Sequence, residues 1–326
     1  MNITVFEVSP DERQELDRLS RTLPVSLRLV EKNLSMETLS LAEGAEGVST
    51  LGRSRLDRPM LEALEKLGVR YVSTRTIGVD HIDLAAAREL GIRVSHAAYP
   101  PAAVADFTVM LMLLVLRCYK PAMWRQNVND YSLKGLMGRS LRSLTVGVVG
   151  TGSIGAAVIH NLSGFGCRIL AYNLTDCEAL HPYATFVDLD TLYRESDIIT
   201  FHVPATPETC RMVNRESLAR MKDGVVLVNT ARGELMDIDA ITEGIETEKI
   251  GSLAMDVFEH EQGIYHADRK TDILKNKDMV YLRQFPNVVL TQHMAFYTEE
   301  SIVSMVDCGI QSLLDMKEGR ETRLEL

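Results

Sequence analysis

The sequence predicts an α/β protein whose strands form parallel sheets with helices on both faces. Short apolar strands alternate with amphipathic helices along the 326 residues, a pattern typical of parallel sheets. Some strand segments, such as GVVLVN at 224–229, are apolar almost throughout, as expected for strands covered on both faces. The length predicts about two domains.

Four strands and three helices are expected in the N-terminal part. Leu61, Leu64 and Leu67 give the second helix an apolar face, and Gly68 ends it. The strands are ITVFEV, VSLRLVE, VRYVSTR and IRVSHA, and the helices are 11–22, RPMLEALEKLG and DLAAARELG. These elements make a first parallel unit.

A second parallel unit is expected from residue 143 onward. Its strands are SLTVGVVG, CRILAYN, SDIITFHVP, DGVVLVNTA, GSLAMDVF and NVVLTQHMA, with helices such as SIGAAVIHNLSGFG and ITEGIETEKI between them. No linker rich in Gly, Ser or Pro separates the two units.

The charge balance excludes polyanionic partners. The chain has 45 acidic and 35 basic side chains, a formal net charge of -10, and its Lys and Arg residues are scattered. Nucleic-acid binding and basic membrane-surface patches both need clustered positive charge. We therefore expect neither nucleic acid nor a membrane as a partner.

The longest apolar run is FTVMLMLLVL at 107–116. A membrane-spanning helix needs about 20 apolar residues, so this run predicts a helix buried inside a domain or at a subunit interface.

The cysteines predict neither disulfides nor a metal site. They are odd in number and far apart, without CxxC spacing: Cys118, Cys167, Cys177, Cys210 and Cys308. Together with an N-terminus that lacks the signal-peptide pattern, this favours a reducing, cytoplasmic compartment.

The strongest motif is Gly150-x-Gly152-x-x-Gly155, which directly follows an apolar strand and directly precedes a helix. In a dinucleotide site the first glycine allows the tight turn, the second lets the backbone approach a pyrophosphate, and the third allows close helix packing. The helix N-terminus supplies N–H groups to the phosphates. The motif predicts a Rossmann-like dinucleotide domain.

The residue expected to contact the ribose is Asn173, which lies 18 residues after Gly155 at the end of the second strand. An acidic residue is usual about 20 residues on. Asn can hydrogen-bond a hydroxyl and does not repel a 2′-phosphate. However, LTDCEAL offers no Arg or Lys to bind one, and Asp176 opposes it. NAD is favoured, and NADP is not excluded.

Three polar residues follow three successive strands of the second unit: Arg232, Glu261 and His293. Ligands bind at the carboxyl ends of such strands. Arg suits a substrate carboxylate and carbonyl, His suits proton donation near neutral pH, and a carboxylate orients the His. Taken singly, they can be a surface ion-pair residue, a solvated loop charge and a structural histidine. Their joint placement favours hydride transfer to a 2-oxo acid.

With these residues in place, the sequence resembles the NAD-dependent D-isomer-specific 2-hydroxyacid dehydrogenases over nearly its whole length. The resemblance is carried by GTGSIG, HVPATPET, NTARGELMD, AMDVFEHE, HMAFYT and STRTIGVDHID. Within the family it is nearest to D-lactate dehydrogenases, especially those of the vancomycin-resistance type. STRTIGVDHID, VADFTVMLMLL, the Glu-x-Glu of FEHE and AFYTEE carry that closer likeness.

The resemblance implies a role for each matched residue. Arg232 binds the substrate carboxylate, His293 donates the proton, and Glu261 is the partner of His293. The implied substrate-binding residues are Ile77, Gly78, Val79, Tyr99, Phe296 and Tyr297. The implied cofactor-binding residues are Gly150, Gly152, Ser153, Ile154, Gly155, Asn173, Val203, Pro204, Thr209, Thr230, Ala231 and Asp256.

Three positions depart from the family pattern. Asn173 replaces the usual Asp, Asp106 stands where Glu is frequent, and Gln292 stands where Pro usually precedes the proton donor. None of these changes removes a reacting group. His81 and His202 also lie in matched motifs and are interpreted as structural.

The resemblance also implies the domain arrangement. Residues 1–98 and 295–326 form a discontinuous substrate domain, flavodoxin-like in fold. Residues 99–294 form the Rossmann domain, which carries a homodimer interface, and the active site lies in the cleft between the domains.

The implied reaction is reduction of a small 2-oxo acid to a D-2-hydroxy acid, foremost pyruvate to D-lactate. Larger acids such as 2-oxoisocaproate, phenylpyruvate or 2-oxoglutarate are the alternative within this class. A dinucleotide-sensing, corepressor-like binding protein is the alternative from another class. No metal is implied.

Overall fold

The structure, a computed structural model, describes all 326 residues and confirms the α/β class with two parallel sheets. The chain divides into two compact units. One comprises Met1–Pro100 and Tyr297–Leu326, and the other comprises Pro101–Phe296. The two points at which the chain passes from one unit to the other each lie two residues later than the boundaries expected from the sequence.

The two-residue difference has local causes. Pro101 directly precedes a helix that begins at Ala102, and the irregular residues 96–100 before it belong to the first unit. At the return crossing, the Tyr297 hydroxyl donates to the Asp11 carboxylate, which also belongs to the first unit.

Five parallel strands form the sheet of the first unit. They are β1 (Asn2–Val5), β2 (Ser26–Leu29), β3 (Gly47–Thr50), β4 (Tyr71–Thr74) and β5 (Arg93–Ser95). The helices α1 (Arg13–Thr22), α2 (Arg58–Lys66) and α3 (Leu84–Glu89) accompany them. The strand order is β2-β1-β3-β4-β5.

The central strand β3 was missed by the sequence analysis because its sequence, GVST, is short and half hydroxylic. All four residues are buried. The Ser49 hydroxyl accepts from the Ser73 hydroxyl at 2.9 Å and from Arg75 Nη1 at 3.1 Å. Neighbouring polar groups therefore satisfy a polar strand in the middle of the sheet.

Seven parallel strands form the sheet of the second unit. They are β6 (Thr145–Val149), β7 (Arg168–Tyr172), β8 (Thr185–Phe186), β9 (Ile198–Phe201), β10 (Val225–Asn229), β11 (Ile250–Met255) and β12 (Val288–Leu290). The helices are α4 (Ala102–Leu116), α5 (Tyr119–Gln126), α6 (Ser153–Ser163), α7 (Leu189–Glu195), α8 (Arg215–Arg220), α9 (Ile238–Glu246) and α10 (Lys277–Leu282). The two-residue edge strand β8 was too short to be seen in the sequence.

The strand order of this sheet is β12-β11-β10-β9-β6-β7-β8. Starting from β6, the chain first adds β7 and β8 on one side and then crosses to add β9 to β12 on the other, so the strand order reverses between β6 and β9. Ligands of open α/β sheets bind outside the carboxyl ends of the strands at such a reversal. The glycine motif, which follows β6, lies at this point.

The apolar run 107–116 lies within α4. Most of this helix is buried against α6 and the sheet, while Met110 is exposed. No single helix is long and apolar enough to cross a membrane. Taken together, α4 and α5 have the length and apolar composition of a membrane-spanning helix, but a bend of 65° separates them.

The last helix, α11 (Glu299–Lys317), returns to the first unit and packs against β4. Arg75, at the end of β4, is fully buried there and pairs with Glu12 at 2.6 Å. Beyond α11, Glu325 accepts two bonds from Arg93, at 2.6 and 2.7 Å. Buried packing and a bidentate ion pair therefore join the C-terminus to the N-terminal sheet.

Candidate active site

The glycine motif forms a tight strand-to-helix turn between β6 and α6. Gly150 has φ +92, and a β-carbon on it would come within 2.5 Å of the His202 carbonyl oxygen. A β-carbon on Gly155 would collide with the Gly150 carbonyl oxygen. Both positions therefore require glycine, for the reasons that the motif predicts.

The turn fits a dinucleotide pyrophosphate. A β-carbon on Gly152 would meet no atom within 4 Å, so this side of the turn is open. The adjoining Thr151 hydroxyl is buried and has no hydrogen-bond partner within the protein. The N-terminus of α6 begins at Ser153 and directs its backbone N–H groups to the same place.

The backbone of His202 lies directly against Gly150 in this turn. Its Nε2 lies 3.0 Å from the Thr200 hydroxyl, and burial lowers the pKa of the imidazole to about 3. The ring is therefore neutral at physiological pH. This agrees with the structural role assigned to His202 from the sequence.

Asn173 has a fixed amide orientation. Its Nδ2 donates to the Thr175 carbonyl oxygen at 2.9 Å, which leaves Oδ1 as the side-chain acceptor. An acceptor is what a ribose hydroxyl requires. Nearby, Asp176 pairs with His181 Nε2 at 2.9 Å.

Five further predicted cofactor residues lie in the loops after β9 and β10: Val203, Pro204, Thr209, Thr230 and Ala231. The Thr209 hydroxyl donates to the Pro204 carbonyl oxygen at 2.6 Å, so it closes the loop that also contains Val203. The Thr230 hydroxyl lies 2.9 Å from the Thr108 hydroxyl of α4. The contacts of these residues with the cofactor remain predictions.

Arg232, Glu261 and His293 follow three adjacent parallel strands, β10, β11 and β12. The structure therefore places all three residues at one edge of one sheet, as their sequence positions predicted.

The Arg232 loop is fixed by the last residue of β10. Asn229 Nδ2 donates to the Arg232 carbonyl oxygen at 2.8 Å, and Asn229 Oδ1 accepts from Ala231 N at 3.0 Å. Arg232 Nη1 donates to the Ala231 carbonyl oxygen at 2.7 Å. A β-carbon on Gly233 would collide with the backbone of Phe258, so this loop lies against the segment that leads to Glu261.

Glu261 and His293 are in direct contact. Glu261 Oε1 forms a hydrogen bond with His293 Nδ1, and Glu261 Oε2 accepts a hydrogen bond from Phe258 N at 2.6 Å. The His293 side chain is 34% exposed and that of Glu261 17%. The carboxylate is thus held from behind, and Nε2 is the ring nitrogen available to a ligand.

Asp256 organises the loop that carries His293. Its buried carboxylate accepts from the Thr291 hydroxyl at 2.5 Å, from Met294 N at 3.0 Å and from Ala295 N at 2.7 Å. Its carbonyl oxygen accepts from His293 N at 2.7 Å. The family resemblance assigns Asp256 to the cofactor and does not imply this role. An acidic residue that directly follows an apolar strand is the sequence signal that points to it.

The predicted substrate residues belong to both units. Ile77, Gly78, Val79, Tyr99 and Tyr297 lie in the first unit and Phe296 in the second. The Thr76 hydroxyl donates to the Gly78 carbonyl oxygen at 2.7 Å and so shapes the loop after β4.

The Asp11 carboxylate, as hydrogen-bond acceptor, raises the pKa of the Tyr297 hydroxyl. Substrate contacts of these residues stay predictions.

Comparison with known proteins gives the family. Residues 109–295, more than half of the chain, match the family described as D-isomer specific 2-hydroxyacid dehydrogenase, NAD binding domain. The chain belongs to this family. The resemblance found in the sequence is thereby confirmed, and with it NAD-dependent D-2-hydroxyacid dehydrogenase as the class of enzyme.

Relatives similar over the full length support the assignment. An aromatic 2-oxoacid reductase of Clostridium sporogenes is 39% identical, with 97% of this chain and 96% of the relative covered. The D-lactate dehydrogenase of Escherichia coli is 36% identical, with 100% of both covered. The solved structure of a D-2-hydroxyisocaproate dehydrogenase superposes with a TM-score of 0.91 at 31% identity, covering 100% of this chain and 99% of that one.

Asn173 provides a test of the ribose contact. Asn173→Asp adds a negative charge where NADPH would place its phosphate, so we expect the NADH/NADPH ratio of kcat/KM to rise about tenfold, or ~1.4 kcal/mol. Steady-state kinetics with both cofactors measures it. Asn33→Asp adds the same charge in the exposed loop after β2 and should leave the ratio unchanged. Equal ratios in Asn173→Asp and the unsubstituted protein would show that this residue does not contact the ribose.

Proposed function

We propose that this dehydrogenase reduces pyruvate to D-lactate with NADH. The contact between the Glu261 carboxylate and His293 Nδ1, beside the Arg232 loop, is the observation that carries the proposal. This geometry provides a proton donor whose ring is oriented and a guanidinium for an anionic substrate.

The cofactor, when bound, supplies the hydride that forms the new bond to C2 of the 2-oxo acid. Arg232 binds the substrate carboxylate through the fork geometry of guanidinium and polarises the carbonyl group. His293 Nε2 donates its proton to the carbonyl oxygen as the hydroxyl forms.

Glu261 keeps this proton transfer directional. Because the carboxylate is bonded to Nδ1, the proton on that nitrogen is retained and the proton on Nε2 is the one given to substrate. After the transfer, the neutral ring keeps the Nδ1–H tautomer, and solvent restores the proton on Nε2.

The similarity to the D-lactate dehydrogenase of Escherichia coli over all of both chains favours pyruvate. A second candidate is an aromatic 2-oxo acid, favoured by the somewhat higher identity to the Clostridium sporogenes reductase. The dinucleotide-sensing alternative is less favoured because it does not require the bond between Glu261 and His293.

We also propose that two copies associate through the second unit. A groove of about 490 Å³ on α4 is lined mainly by apolar residues, among them Met110, Leu113 and Phe165. The segment from α5 onward exposes further apolar side chains, Trp124, Val128, Tyr131, Leu133 and Met137. A two-fold dimer can pair each segment with the other copy's groove.

Sedimentation equilibrium should give twice the 36.4 kDa chain mass, and a monomer at micromolar concentration would contradict this pairing.

The role of His293 is tested by His293→Ala. Loss of the proton donor should lower kcat by about 10²–10⁴-fold, while the Kd of NADH, measured by fluorescence titration, stays the same. His260→Ala removes another imidazole, 85% exposed in a neighbouring loop, and should not change kcat. An unchanged kcat in His293→Ala would remove this residue from the mechanism.

The substrate is tested by NADH oxidation with pyruvate, 2-oxoisocaproate, phenylpyruvate, 2-oxoglutarate and glyoxylate, followed by chiral analysis of the product. We expect the highest kcat/KM with pyruvate and D-lactate as product. A higher value with phenylpyruvate would select the aromatic acid. Tight NADH binding without turnover of any acid would select the sensing role.

A further inference from the structure

A second histidine, His266, lies against the proton donor. Its Nε2 is 3.0 Å from the carbonyl oxygen of His293, and the two ring centroids are 6.2 Å apart. The same ring meets Phe296 edge-on, with 6.3 Å between centroids and an angle of 68° between the planes. His266 thus contacts both the proton donor and a residue expected to line the substrate pocket.

The geometry defines the proton on His266. The carbonyl oxygen of His293 can only accept, so Nε2 of His266 must carry the hydrogen. This bond forms with the neutral Nε2–H tautomer and equally with the imidazolium.

The backbone of His293 needs such support. It has φ +52, in the left-handed region that residues with a β-carbon disfavour. Gln292, not proline, precedes it, so the chain on that side is not stiffened by a ring. Main-chain bonds must hold the conformation. His293 N donates to Asp256, and the carbonyl bond from His266 fixes the other side.

His266 is placed by the same turn that places Glu261. The Glu261 carbonyl oxygen accepts from Ile264 N at 2.9 Å and from Tyr265 N at 3.1 Å, which closes a helical turn. The Tyr265 ring packs against the hydrophobic core of the unit and anchors the turn. One turn therefore holds His293 at two points, at Nδ1 through Glu261 and at the carbonyl oxygen through His266.

We propose that His266 is a positioning residue for proton transfer. Its Nε2–H holds the His293 backbone so that the His293 ring presents Nε2 to the substrate carbonyl, and its ring fixes Phe296 beside the same site. The inference rests on the proposed function, because it assigns His266 a role in the proton transfer from His293.

The test compares two substitutions at one position. His266→Phe keeps a ring against Phe296 and removes the donor, whereas His266→Gln keeps an N–H donor. We expect His266→Phe to lower kcat about ten- to hundredfold and to raise the solvent deuterium isotope effect on kcat, because proton transfer becomes slower. The KM for NADH should not change. His266→Gln should restore kcat to within a few-fold and return the isotope effect to its original value.

The matched control is His260→Phe, the same substitution in the same loop at a side chain that is 85% exposed. It should leave kcat and the isotope effect unchanged. Unchanged values in His266→Phe would overturn the proposal, and so would equal losses in His266→Phe and His266→Gln, since the donor would then not matter. An unsubstituted enzyme that reduces no 2-oxo acid would instead reveal failure of the proposed function, before any variant is compared.

Discussion

The sheet edge that carries Arg232, Glu261 and His293 depends on one buried carboxylate, that of Asp256 directly after β11. An ionised carboxylate out of water is costly unless donors surround it. Thr291, Met294 and Ala295 supply those donors, all from the loop after β12. The loop must therefore close over β11, and His293, which lies within it, is brought to the residues that follow that strand.

The contact between Glu261 and His293 follows from this closure. β11 is the middle strand of three whose carboxyl ends carry the trio, and it leads first to Asp256 and then to Glu261. The residues at this strand end thus hold His293 at two points, Asp256 at its backbone and Glu261 at its ring. The Arg232 loop contacts the same segment because Gly233 has no side chain to keep the two backbones apart.

Net charge and local charge have opposite meanings in this protein. The formal charge of -10 disfavours polyanionic partners, yet the family's cofactor and substrates are anions. The groups proposed to bind them are local: the N-terminus of α6, the open backbone at Gly152 and the guanidinium of Arg232. At close range a few oriented donors outweigh the summed surface charge, which salt screens within about 8–10 Å.

The sequence by itself determined the α/β class, the dinucleotide turn at Gly150 and the three strand ends that carry the trio. Apolar runs and glycine spacing are local signals, because each strand, helix or turn carries its signal within its own stretch of sequence. Only the tertiary structure decided that the polar segment GVST is a central strand, that Asp256 holds the loop with His293 and that His266 lies within hydrogen-bond distance of the His293 backbone. These features depend on hydrogen-bond partners from distant parts of the chain, and spacing along a sequence carries no record of which partners folding brings together.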